Sequence, residues 1–108
     1  MALFYSDAFK RSAKKLAKRY RSFKKDLKTF TDSLVEDPKQ GTELFKGVYK
    51  VRVKNSDNNK GKRAGYRIII YLVTEDDILL VDIYAKSDLS NLSDEEISQI
   101  IMQYGKEK

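Results

Sequence analysis

The sequence predicts an α+β fold: an N-terminal helical hairpin packed on a small three- to four-stranded antiparallel sheet, with a short C-terminal helix. Two periodicities carry that expectation. Through the first third of the chain apolar residues recur every three or four positions, the spacing of a buried helical stripe; from Leu44 they alternate or run together with β-branched and aromatic neighbours, as strands do. With 41% apolar and 35% charged residues, and one proline and five glycines among 108 residues, the composition supports a folded core. Domains commonly hold ~100–150 residues, so residues 1–108 are expected to form one.

Residues 1–6 (MALFYS) are apolar and aromatic, the composition of an edge strand, but too few to define one by pattern. From Phe9 the apolar positions step through Ala13, Leu16, Tyr20, Phe23, Leu27, Phe30 and Leu34. One long helix fits that stripe; Ser22, a good N-cap, favours instead a hairpin broken near Arg21. Pro38 keeps Asp37 out of the helical region and ends the segment. Residues 44–54 (LFKGVYKVRVK) then read as a strand with Tyr49, Val51 and Val53 on one face and Lys50, Arg52 and Lys54 on the other. A polar loop, residues 55–63 (NSDNNKGKR), leads to two further strands, residues 66–73 and 78–85, joined by a polar turn (TEDD). Ser93 and Glu96 form a capping box before Ile97, Ile100, Ile101 and Tyr104, the signature of a short amphipathic helix.

The chain has no cysteine and no histidine, which removes disulfides, thiolate metal sites, cysteine nucleophiles and the usual general base. The net charge of +6 is unevenly spread. Residues 1–67 carry 19 Lys and Arg against 7 Asp and Glu, and residues 68–108 carry 3 against 9. Such a basic block draws polyanions, nucleic acid first. Its helical part includes Lys14, Lys15, Lys18, Lys24 and Lys25, and its strand and loop part Lys54, Lys60, Lys62 and Arg63; all nine are candidates for RNA contact. The loop is not a phosphate-binding P-loop, because Ser56 and Arg63 stand where that motif needs Gly and Ser or Thr. Glu75, Asp76 and Asp77 read as turn residues, and no metal site is expected. The longest apolar run, residues 68–73, is far short of the roughly 20 that span a bilayer, so a cytoplasmic protein is expected, with no membrane partner.

Any catalysis must therefore use Lys, Arg, Tyr, Asp or Glu. In a meander of strands Lys50, Arg52, Arg67 and Lys86 can converge, a cluster suited to RNA cleavage. There the substrate's own 2′-hydroxyl is the nucleophile, and the protein supplies a base, an acid and cations for the developing phosphorane charge, without cofactor or metal. Tyr66 and Tyr84 interleave with these cations as candidates for base stacking. The same cations also fit the plain solvated side of a half-exposed sheet.

Taken in order, the Lys-rich helical pair, YKVRV, NNKGKRAGYRIIIYL and LLVDIYAKSDLSNLSDEEI resemble the RelE/ParE superfamily of toxins from type II toxin–antitoxin modules over nearly the whole chain, and most closely its HigB-like branch. The resemblance implies a RelE-like fold and a ribosome-dependent mRNA endoribonuclease that cuts in the A site and inhibits translation. Its implied partners are the ribosome, mRNA and a cognate antitoxin. By the same resemblance Lys50 and Arg52 match the family's basic strand pair, Arg67 its phosphate-binding arginine and Lys86 its second catalytic basic position. Two residue types are exchanged relative to RelE itself, where the second strand residue is Lys and the last is Arg. Arginine stays protonated, so Lys86 or Lys50 becomes the candidate base. Leu92 stands where RelE has a stacking Tyr. The alternatives within the superfamily are a ParE-like gyrase inhibitor, which generally lacks the catalytic cations, and an inactive homologue that acts only with its antitoxin on DNA.

Overall fold

The computed structural model describes residues 2–57, 64–88 and 92–107. Along the chain it forms β1 (Ala2–Tyr5), α1 (Asp7–Arg19), α2 (Phe23–Glu36), β2 (Thr42–Phe45), β3 (Val48–Val53), β4 (Tyr66–Leu72), β5 (Asp77–Ala85) and α3 (Asp94–Glu107). The strands make one sheet in the order β1-β5-β4-β3-β2. The α+β class, the helical hairpin and the C-terminal helix are as the sequence predicts.

The sheet differs from the expectation in two ways. It has five strands, and β1 runs parallel to β5, with Ala2 opposite Asp77 and Tyr5 opposite Leu80. A four-residue strand carries too little periodicity to be read alone, and its parallel partner lies 75 residues away. The segment 44–54 is also not one strand. Gly47 takes φ +81, open to glycine at no steric cost, and the chain reverses at Lys46 and Gly47 so that Phe45 pairs with Val48. The Glu43 carboxylate accepts the Gly47 N–H at 3.2 Å across this turn. Within β3 the expected alternation holds.

Helix boundaries follow from caps. The Ser6 hydroxyl accepts from the Phe9 N–H at 2.9 Å, opening α1, and donates to the Val81 carbonyl of β5, so one buried side chain ties the helix start to the sheet. The break falls at Tyr20, in extended conformation, and α2 opens after Ser22. Ser22 occupies the cap position without a side-chain capping bond; the Asp57 carboxylate accepts its N–H instead. At α3 the capping box forms as expected, Ser93 Oγ accepting from Glu96 N–H and Glu96 Oε1 from Ser93 N–H.

Both sheet faces are covered. One packs on α1 and α2 through Phe9, Leu16, Phe23, Phe30 and Leu34 against Val51, Ile68, Ile70, Leu80 and Ile83. The other packs on α3 through Ile97, Ile100 and Tyr104 against Val48, Ile69, Leu79 and Val81. The second cover reaches only part of its face, and the remainder carries the strand cations.

Candidate active site

A bulge in β5 builds this part of the sheet. Ile69 pairs with Asp82 and Ile70 with Leu80, so Val81 is the extra residue. Before it, even-numbered Ile78 and Leu80 face the helical hairpin; after it, odd-numbered Ile83 and Ala85 do. The shift turns Tyr84 to the face that carries Arg67, its register partner on β4. Without the extra residue Tyr84 would belong to the core under α1.

Across β3, β4 and β5, Arg52, Arg67 and Tyr84 therefore stand in one row. Neighbouring strands lie ~4.8 Å apart, so two guanidinium stems start side by side, an arrangement that repels unless an anion intervenes. Arg67 is 4% exposed and donates to the Tyr66 carbonyl at 3.2 Å. Burial first, then the Arg52 charge, pulls its guanidinium below the ordinary arginine value. Arg52 is exposed and, among the described residues, makes no ion pair. Tyr84 is 7% exposed, and its hydroxyl is buried with no hydrogen-bond partner among the described residues. Burial pushes that phenol up, Arg67 opposes the rise and Asp82 adds to it.

The other two expected site residues flank the row. Lys50 is half-buried two pairs further along β3, opposite Ile69. Lys86 is exposed at the first position after β5, where its N–H donates to the Gly65 carbonyl at 3.0 Å. Gly65 holds that corner because nothing larger fits: a Cβ there would lie 2.0 Å from the Val53 carbonyl oxygen. The structure thus joins Arg52 and Arg67 directly and leaves Lys50 and Lys86 at opposite sides of the pair.

Tyr66 does not belong to this face. It is 1% exposed in the core under the hairpin, edge-on to Tyr20 and Phe23 at 5.6 and 5.3 Å between ring centres. Burial and the nearby Asp26 carboxylate push its phenol well above the ordinary range. No ring face is left for a base, because Tyr66 has the core parity of Ile68 and Ile70. Lys14, Lys15, Lys18, Lys24 and Lys25 are exposed on the hairpin, across the sheet from Arg67, and form a second cationic surface. Lys54 is exposed just past β3. Lys60, Lys62 and Arg63 lie outside the described residues.

Sequence reasoning missed three polar groups. Asp26 is buried in α2, where its carboxylate accepts both the N–H and the hydroxyl of Ser56, pinning the start of the 55–63 loop. Asp82, at the bulge, accepts from Ser12 of α1 at 2.7 Å and from the Ile83 N–H at 2.8 Å. Ser6 caps α1 as described. Only Ser6 had a readable signal, as a hydroxyl three residues before Phe9, the first stripe residue.

Among the described residues no helix is long and apolar enough to cross a membrane. No curated protein matches the sequence. The family model described as RelE toxin of the RelE/RelB toxin–antitoxin system matches residues 1–106. With the helical hairpin, the sheet and nearly every residue inside that match, the chain belongs to the RelE toxin family of toxin–antitoxin systems.

Proposed function

We propose that the protein is a ribosome-dependent mRNA endoribonuclease of the HigB-like branch, acting as one domain over residues 1–108 in the cytoplasm and held inactive by a cognate antitoxin. The observation that carries this reading is the register pairing of Arg52 with a buried Arg67. Two adjacent cations, one desolvated, suit a dianionic phosphorane better than its monoanionic ground state, and that difference is what catalysis requires.

In this reading the 2′-oxygen attacks phosphorus, the P–O5′ bond breaks, and the products are a 2′,3′-cyclic phosphate and a 5′-hydroxyl. A base takes the 2′ proton and an acid returns one to O5′. Lys50 and Lys86 flank the Arg52–Arg67 pair on opposite sides, so one is placed to take the 2′ proton and the other to protonate the leaving oxygen. With Tyr66 in the core, Tyr84 is left as the candidate for base stacking. The α1 lysines Lys14, Lys15 and Lys18, on the far face, serve ribosomal RNA rather than the scissile strand.

The test maps mRNA 5′ ends in a purified translation reaction, with and without ribosomes, for the wild type, Arg67→Ala and Lys86→Ala. Codon-phased cuts that need ribosomes and vanish in both variants are expected. Intact mRNA beside a toxic wild type overturns the reading and turns attention to a protein target such as gyrase.

A further inference from the structure

β2 pairs with β3 only as far as Lys50, so among the described residues the outer edge of Val51 to Val53 has no strand beside it. A cleft of about 320 Å³ opens between this edge and α2. Phe30 and Val53 form its apolar floor, and Lys25, Arg52 and Lys54 its rim. The one carboxylate in it, Asp26, is already held by Ser56. The volume is at the lower end for small-molecule sites, ~300–1,000 Å³.

Gln40 lies on the wall, half-buried. One N–H of its carboxamide donates to Ser33 Oγ at 2.9 Å, and the Ser33 hydroxyl is itself spent on the Phe30 carbonyl at 2.6 Å. The amide is thereby fixed in place with its carbonyl oxygen and second N–H unused among the described residues. A held acceptor–donor pair above an apolar floor, ringed by three cations, matches the edge of a nucleobase and the phosphate attached to it. An acidic peptide would satisfy the rim but leave the floor and the mixed amide unmatched.

We infer that this cleft is a nucleotide subsite: one base of single-stranded RNA enters between α2 and β3 and pairs with Gln40, while its phosphate bridges Lys25 and Lys54 to Arg52. Arg52 borders both this cleft and the row containing Arg67, so the nucleotide held here adjoins the scissile phosphate. The inference deepens the ribonuclease reading and rests on it for the word scissile, but the binding itself does not.

The experiment titrates the isotopically labelled full chain with AMP, CMP, GMP and UMP, with inorganic phosphate and a hexaglutamate peptide as comparison probes, and follows backbone amide shifts. Saturable shifts at Thr29, Ser33, Gln40 and Ser56 with at least one nucleotide, absent with phosphate, are expected. Gln40→Ala should weaken that nucleotide about tenfold, the scale of one lost bidentate base contact. Thr29→Trp, on an exposed helix position, should block the cleft while leaving the rest of the spectrum folded. Shifts with phosphate alone, or with hexaglutamate and no nucleotide, overturn the subsite, the latter in favour of a peptide groove. If wild type fails to cut mRNA but the nucleotide shifts appear, the subsite stands and the ribonuclease reading falls. If wild type cuts mRNA without those shifts, and Gln40→Ala leaves its distribution of cut sites unchanged, the subsite alone falls.

Discussion

Arg67 holds a positive charge at a position the fold alone would fill with an apolar side chain. Its strand neighbours Ile68, Ile69 and Ile70 are all buried, and burial together with Arg52 works against its charged form. On the ribonuclease reading such a residue serves function rather than stability, and the two separate by mutation. Arg67→Met is expected to leave the urea midpoint equal to or above wild type while cleavage falls by at least about a hundredfold, the scale of one lost transition-state contact. A clear loss of stability would instead make Arg67 a structural residue. Tyr84 makes the same argument with a neutral group. Leaving a buried hydroxyl unsatisfied costs ~1–3 kcal/mol, so Tyr84→Phe should stabilise the protein by about 1 kcal/mol in the same titration. If its cleavage rate also drops, the hydroxyl meets RNA; if not, the ring alone serves.

At the scale of elements, the β5 bulge is what turns Tyr84 to the face of the candidate site, and it brings a carboxylate with it. Burial raises Asp82 above its ordinary value of 3.8, against the bonds from Ser12 and Ile83 and the charge of Arg11, with Glu96 of α3 adding to the rise. The folded state therefore binds this proton more tightly than the unfolded chain. Stability from this group is present below 3.8 and is lost as pH rises through the raised folded value. Asp82→Asn should flatten that decline and be more stable than wild type at pH 7, as read from urea midpoints across the pH range; an unchanged pH profile would dismiss Asp82 as its source. At the neighbouring corner Gly65→Ala drives a methyl into the Val53 carbonyl, and a loss of at least about 2 kcal/mol is expected. The bulge also explains what the sequence concealed. Residues 78–85 are almost uniformly apolar, so no alternation marks where parity changes, and Tyr66 and Tyr84 looked equivalent as stacking candidates. The helices, the α3 capping box and the placement of Lys50 and Arg52 opposite Val51 and Val53 were legible, because their patterns are local. The β2–β3 turn was obscured because alternation resumes after Gly47 on the same parity.

For the whole molecule, the three-layer build puts cations on two opposed surfaces. The α1 lysines and the Arg52–Arg67 row cannot grip one short RNA strand together, whereas a ribosome with mRNA in its groove presents phosphates to both. Ribosome affinity should fall linearly in log–log against salt, and replacing Lys14, Lys15 and Lys18 with Gln should reduce the slope by about one for each phosphate contact removed. Sedimentation of protein with ribosomes across a potassium chloride series measures this; an unaltered slope would remove α1 from the ribosome interface.

The parallel pairing of β1 with β5 sets an order of assembly during synthesis. Once made, β1 finds its sheet neighbour among the described residues 75 positions later, since Ala2 pairs with Asp77. At ~5–20 residues per second that is a wait of roughly 4–15 s. Tyr84 and Lys86 follow later still, so on the ribonuclease reading the row beside Arg67 is incomplete until β5 has been made. On that reading the translating ribosome meets no finished site before β5 has emerged.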